Sequence, residues 1–329
     1  MTALVPPRHA HEHPAYRTGA RTMRVCQARA LTATVTHFRF EAMNGGPLAP
    51  YAAGSHLIVS AGDHRNAYSL VDDGWFPQSY GISVLRRGEG GGSDWLHDHL
   101  AVGDLVEIEG PRSMFAPVTD QQHALLVAGG IGVTPILSHA RAMRRNGVSA
   151  EILYSYRPGC AAHLEDLRAL AADPSITLHE VTGAGATEDL LAGLFASQPL
   201  GTHAYACGPP GFLDVYTARA AEAGWPSARV HLERFTAPEQ DAGEPFTARL
   251  TGTGEVIEVP SGVSLLDRLL ERGIEVDHMC RRGVCGQCRI PVTSGRVEHR
   301  DLVLSEDERR SGDSMLCCVS RGHEIEVDL

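Results

Sequence analysis

At 329 residues, 43% of them apolar and with a formal charge of −11, the chain has room for two or three separate cores and is too apolar for wholesale disorder. Its acidity argues against a nucleic-acid partner, and its longest apolar run, "ALLVAGGIGVTPIL", is glycine-broken and short of the roughly 20 residues that span a bilayer. The polar, proline-broken opening "MTALVPPRHAHEHPAYRTG" does not resemble a signal peptide, so the expectation is a cytoplasmic protein with no membrane partner, whose eight cysteines read as metal ligands or core residues before disulfides.

Residues 1–21 read as a tail, and the alternating His9, His11 and His13 as solvated side chains within it. From 22 to 117 short alternating stretches, "THFRFEA", "SHLIVSAG", "RNAYSLV", "YGISVLR" and "DLVEIEG", predict an antiparallel β-barrel. From 118 to 235 the period changes. The strands "HALLVAG", "EILYSY", "ITLHEV", "THAYAC" and "ARVHLE" alternate with helical stretches such as "TPILSHARAMRRNG" and "PGFLDVYTARAAEAG", which predicts an α/β unit with a parallel sheet. "TAPEQDAGEP", residues 236–245, gathers proline, glycine and acids and reads as a linker. The third unit, 246–329, opens on a hairpin, "FTARLTGTGEVIEV", continues with a short helix, "SLLDRLLERG", and closes on a strand, "HEIEVDL". A domain that small is marginal without a staple.

Four motifs carry chemistry. Cys280, Cys285 and Cys288 stand in a C-x4-C-x2-C run with a distant pair at Cys317 and Cys318. That spacing belongs to plant-type 2Fe-2S sites, whereas zinc favours two separated pairs; zinc or a merely structural cysteine cluster is the alternative. Gly283 and Gly286 let the loop curl around an inorganic core. In "AGGIGVTPIL", Gly129, Gly130 and Gly132, followed by Thr134 and Pro135, join a strand to a helix whose N-terminus offers donors to a phosphate. "CGPPGF", with Cys207, Gly208 and Pro209, ends the fourth strand of the same sheet, where open α/β sheets bind ligands. Gly91, Gly92 and Ser93 form a second loop-to-helix anion site ahead of "DWLHDHL".

In this order of units and motifs the sequence resembles the phthalate dioxygenase reductase family from about residue 22 to its end. The resemblance implies a flavin barrel, a nicotinamide nucleotide domain and a β-grasp ferredoxin domain. It implies FMN rather than FAD, held by the loop at Gly91, Gly92 and Ser93, and NADH with NADPH not excluded. In "RNAYSL", Tyr68 would pack on the flavin ring and Ser69 would bond near the nitrogen that receives hydride. Arg65 precedes Tyr68 by three residues where the family motif has two, so Arg86 competes with it for the flavin phosphate. Cys207 would border the nicotinamide as an uncharged wall, Arg157 is a candidate phosphate ligand, and Phe235 would cover the flavin. The cluster would be held by Cys280, Cys285, Cys288 and Cys318; Cys317, in an extended strand, would point away.

A flavin links a two-electron hydride donor to a one-electron cluster. The expected function is therefore an NADH-dependent reductase component serving a separate terminal oxygenase, foremost a Rieske-type one. A haem-thiolate monooxygenase is the second candidate partner, and a non-enzymatic iron-sulfur redox sensor is the reading from another class.

Overall fold

The computed structural model describes residues 20–235, 240–278, 281–284 and 286–329. They fall into two compact units, one ending at Glu233 and one beginning at Arg234.

In the first unit, strands β1 (Arg21–Ala30), β2 (Val35–Ala42), β3 (Ser55–Ala61), β4 (His64–Ser69), β5 (Tyr80–Leu85) and β6 (Leu105–Ser113) form an antiparallel sheet of order β4-β3-β6-β1-β2-β5. A bridge between Leu70 and Ile82 ties the two ends of this order together. Alternation explains the sheet. Met23, Val25, Phe38, Phe40, Leu57, Val59, Ile82 and Val84 point inward to one apolar core, and their sequence neighbours point outward. β1 is the barrel strand that no quoted stretch anticipated; it is long, half-exposed and bulged between Val25 and Gln27. Helix α1 (Gly92–His99) follows β5.

The second half of this unit is a parallel sheet, β7 (His123–Gly129), β8 (Ser149–Ser155), β9 (Ile176–Val181), β10 (His203–Cys207) and β11 (Val230–Glu233), in the order β11-β10-β7-β8-β9. Helices α2 (Val133–Asn146), α3 (Leu164–Leu170), α4 (Ala184–Ser197) and α5 (Pro210–Glu222) connect the strands. The order reverses beside β7, so the carboxyl ends of β7 and β10 flank the switch point where such sheets bind ligands. A polar seam joins this sheet to the barrel. Ser138 donates to the Asp72 carbonyl at 2.6 Å, Arg141 pairs with Asp72 and Asp166, and Ser83 lies 2.7 Å from His163.

The second unit holds β12 (Phe246–Leu250), β13 (Val256–Val259), α6 (Leu265–Glu271), β14 (Arg289–Glu298), α7 (Glu306–Ser311), β15 (Ser314–Leu316) and β16 (Arg321–Val327), in sheet order β13-β12-β16-β14-β15. The first and last strands, β12 and β16, pair in parallel, and α6 packs its Leu265, Leu266 and Leu269 into the core. Ser264 and Asp267 form a reciprocal capping box that starts α6. Arg321 is buried and donates to the carbonyls of Pro260 and Val263, at 3.2 and 2.8 Å, with its guanidinium over Phe246. The arginine of "CVSR" is thus a brace across this fold.

Candidate functional site

The two glycine motifs of the parallel sheet meet. Cys207 pairs in register with Ala128 on one side and Glu233 on the other. A Cβ on Gly132 would stand 2.1 Å from the Cys207 carbonyl oxygen, so only glycine lets the two turns approach this closely. Thr134 bonds back to the Ile131 carbonyl at 3.1 Å, and Pro135 is buried in the first turn of α2. Pro209 caps α5, whose first residue is a proline. Burial, and then the nearby Glu233 carboxyl, push the Cys207 thiol well above its ordinary pKa, so it is uncharged and no nucleophile.

At the same place the barrel supplies Ser69, at the end of β4. Its hydroxyl lies close enough to the Glu233 carboxyl at the end of β11 to favour the ionised form slightly. Glu233 is half-exposed as a residue, yet its Oε2 is closed off from water and has no partner, and burial pushes the carboxyl up to about 8. Sequence reasoning passed over Glu233 because "VHLE" reads as an ordinary alternating strand; the available signal was an acid at a strand's carboxyl end beside the C-G-P motif. Tyr68, one residue before Ser69, likewise has a buried hydroxyl without a partner, and burial raises its pKa. Buried polar atoms without partners beside a glycine-lined strand end fit a flavin meeting a nicotinamide.

The loop before α1 turns inward. Backbone N–H groups of Arg87, Gly88 and Gly90 donate to the Asp94 carboxylate at 3.0, 2.9 and 2.7 Å, and these bonds, Gly88's foremost, hold its pKa down. Gly91 caps the helix, while Gly92 packs so close to β4 that a Cβ would meet Asn66 at 2.9 Å. The Ser93 side chain is buried beside it. Arg65 pairs with Glu109, and Arg86 pairs with Asp98. β3 and β4 run in register without a bulge, so Arg65 and Tyr68 do face opposite ways. The sequence reading missed Arg87. Its charge acts on Tyr68, and its guanidinium has no hydrogen-bond or ion-pair partner among the described residues.

Phe235 is half-buried and lies beyond β11, in the second unit, which begins at Arg234. In that unit Cys288, Cys317 and Cys318 are buried together in the apolar core. Cys280 and Cys285 lie outside the described residues, and among the described residues no group of three His, Cys, Asp or Glu side chains could by itself hold a metal ion. Gly283 has φ +69°, and a Cβ there would meet Val319 at 2.6 Å. The loop backbone is therefore pressed against the Cys317–Val319 turn, as a loop wrapped around a sulfur-ligated core requires. That turn also departs from expectation. β15 ends at Leu316, so Cys318 does not follow Cys317 in an extended strand, and strand alternation does not turn the two side chains to opposite faces.

A barrel with unpartnered polar atoms facing a nicotinamide-type strand end, followed by a cysteine-bearing unit of ferredoxin topology, defines an iron-sulfur flavoprotein reductase. The comparisons agree. Residues 248–321 match the 2Fe-2S iron-sulfur cluster binding domain, and residues 110–230 match the N-terminal domain of dimethylamine monooxygenase subunit DmmA-like proteins. The heme-dependent oxidative N-demethylase beta subunit of Ectopseudomonas mendocina is 40% identical over 303 residues, 91% of this chain and 95% of that one. The solved structure of phthalate dioxygenase reductase, described as modular for electron transfer from pyridine nucleotides to 2Fe-2S, is 33% identical over 94% of this chain and 98% of that one, with a TM-score of 0.71. A type IV self-sufficient cytochrome P450 monooxygenase is 32% identical with a TM-score of 0.80, over 94% of this chain and 41% of that one.

The chain belongs to the phthalate dioxygenase reductase-like family of oxygenase reductase components. It is an oxidoreductase that takes electrons from a pyridine nucleotide through flavin to a 2Fe-2S cluster, for use by an oxygenase partner. Among the described residues no helix is long and apolar enough to cross a membrane.

Proposed function

We propose that this chain oxidises NADH with bound FMN in a flavin lobe at 22–117 and a nucleotide lobe at 118–235. Its ferredoxin unit, 246–329 beyond the linker 236–245, would carry single electrons onward. The observation that carries this reading is the pair of buried, unpartnered polar atoms, Tyr68 Oη of the barrel and Glu233 Oε2 of the parallel sheet, the latter beside Cys207. Flavin, when bound, accepts the hydride and releases electrons one at a time. Ser69 and the neutral Glu233 would hold a proton beside the flavin, and Cys207 would keep water and charge away from the nicotinamide. Tyr68 offers its hydroxyl to the flavin.

FMN is supported over FAD by the short, closed loop. The N–H groups of Gly92 and Ser93 head α1, with the unpartnered Arg87 close to Tyr68, and together they suit one terminal phosphate. Arg65 and Arg86, already paired with carboxylates, are the weaker candidates. NADH is supported over NADPH because Arg168, past β8, is held by Glu180 at 2.7 Å and Glu165 at 2.8 Å rather than free to clamp a 2′-phosphate. Cys280, Cys285, Cys288 and Cys318 would ligate the cluster.

Two partners compete. A Rieske-type oxygenase is what membership beside phthalate dioxygenase reductase favours. A haem oxygenase is favoured by the 40% identity to the heme-dependent N-demethylase beta subunit and by the likeness to a P450. Purified protein should show flavin absorbance over iron-sulfur bands, release FMN on heating, and bleach with NADH far faster than with NADPH. Release of FAD, or equal rates with the two nucleotides, would refute those assignments. Colourless protein containing zinc would refute the reading as a whole. Turnover of purified Rieske-type and haem-type oxygenases supplied with this reductase decides the partner.

A further inference from the structure

The cysteine pair of the ferredoxin unit holds more than one fourth ligand needs. β14 and β15 pair antiparallel, with Arg289 opposite Leu316, Ile290 opposite Met315 and Pro291 opposite Ser314. The next rung of the same ladder sets Cys288 opposite Cys317, and the Cys317 N–H donates to the Cys288 carbonyl at 3.1 Å, which shows that the rung is made. Residues directly opposite on antiparallel strands place their side chains on one face, with Cβ atoms about 5 Å apart. Cys317 therefore shares its face with a cluster ligand.

Cys318 follows Cys317 at a turn. Val319 and Ser320 both donate to the Leu316 carbonyl, at 3.3 and 3.0 Å, so the chain turns at Cys317. In a tight turn successive side chains diverge by about 100° rather than the 180° of a strand. Cys288, Cys317 and Cys318 are all buried in the one apolar core of this unit. The Cys317 backbone is pinned further by Leu266 of α6, whose N–H donates to its carbonyl at 3.0 Å.

We propose that Cys317 is a second, interchangeable fourth ligand of the 2Fe-2S cluster. This rests on the cluster reading above, with Cys318 as the resident ligand. In the exchange the iron–sulfur bond to Cys318 breaks and one to Cys317 forms. The thiol proton leaves Cys317 and arrives at Cys318, so the charge of the ligand set and the oxidation states of iron and sulfur are unchanged. No oxidant or reductant is needed. A neighbouring thiol on the same face makes this a local side-chain movement, and the fixed backbone of Cys317 keeps it in reach.

Full-length Cys317→Ala, Cys318→Ala and the double variant would be compared with wild type by iron and acid-labile sulfide per flavin, and by electron paramagnetic resonance and resonance Raman spectra after dithionite reduction. Both single variants should keep wild-type iron and sulfide, Cys318→Ala with a shifted spectrum that still reports all-thiolate ligation. The double variant should lose the cluster. Iron in Cys318→Ala as low as in the double variant, with circular dichroism like wild type, overturns the proposal. If Cys318→Ala does not fold, the rate at which a chelator bleaches Cys317→Ala decides: it should exceed wild type several-fold, because the reserve thiolate no longer recaptures the cluster, and equal rates overturn the proposal. Wild-type protein without iron would instead refute the cluster reading itself.

Discussion

At the scale of single residues, the unusual group is Glu233. A carboxyl closed off from water beside an uncharged thiol is stable only as the neutral acid, and its pKa of about 8 stands well above the ordinary 4.5. The sign of the consequence follows. Between these two values the unfolded chain gives up this proton and the folded chain keeps it, so Glu233 costs stability increasingly as pH rises from about 4.5 to 8. Glu233→Gln keeps the shape of the side chain but cannot ionise. The variant should match wild type near pH 5 and exceed it by on the order of 2–5 kcal/mol at pH 9 in denaturant unfolding of the cofactor-free protein. Parallel pH curves for the two proteins would show that the carboxyl is not held neutral. If Glu233 also holds the proton beside the flavin, the variant's NADH-driven flavin reduction should slow by about tenfold or more.

At the scale of elements, the strand pattern made most of the fold legible. The five barrel stretches, the five parallel strands and the enclosing hairpin and last strand of the third unit all appear where alternation or an apolar run placed them. β1, β14 and β15 escaped because their pattern is weak: β1 is largely half-exposed and bulged, and β14 carries Pro291 and a run of exposed residues from Thr293. The turn at Cys317 escaped because two adjacent apolar residues inside "MLCCVS" read as a continuing strand. The glycine turns were legible as motifs, but not the reason for each glycine. Gly130 has φ +54° and open space around it, whereas Gly132 has an ordinary helical backbone and a carbonyl in the way of any Cβ. Gly130→Ala should therefore cost about 1 kcal/mol through backbone strain alone and leave NADH affinity near wild type. Gly132→Ala forces the two turns apart, so it should cost about 1–3 kcal/mol and weaken NADH binding by more than tenfold. Thermal unfolding and nucleotide titration of the pair separate the two causes, and the reverse ranking would show that the turns do not meet as described.

At the scale of the whole molecule, the barrel and the parallel sheet belong to one compact unit, and their seam is made of hydrogen-bonded polar groups. His37 bonds to Ser83 at 3.0 Å, Ser83 reaches His163, and His163 meets the Asp166 carboxylate at 2.7 Å, so the hydroxyl and both rings form one chain across the seam. With its proton toward Asp166, His163 accepts from Ser83, and Ser83 accepts from His37. His139, fully buried on α2, makes the corresponding bond to the Phe115 carbonyl at 2.8 Å. Burial holds His37 and His139 near pKa 4; beside His37, the His163 ring and Arg39 act the same way, while Asp72 opposes them. His56, buried in the barrel near Arg112, is held near 4 as well. All three are neutral in the folded protein and free to take a proton, at the ordinary 6.5, once unfolded. Their contribution is present above pH 6.5 and is lost as pH falls towards 4, each by up to about 3 kcal/mol. Unfolding of the flavin-containing unit should therefore take up protons between pH 6.5 and 4, and its stability should fall by several kcal/mol across that window. Because two of the three lie on the seam, acid should separate the lobes before it melts either sheet, releasing flavin while far-ultraviolet circular dichroism is still near its neutral value. Proton uptake is measurable as the pH dependence of the unfolding free energy, and a flat profile from pH 7 to 4.5 would mean that these imidazoles are not buried neutral at all.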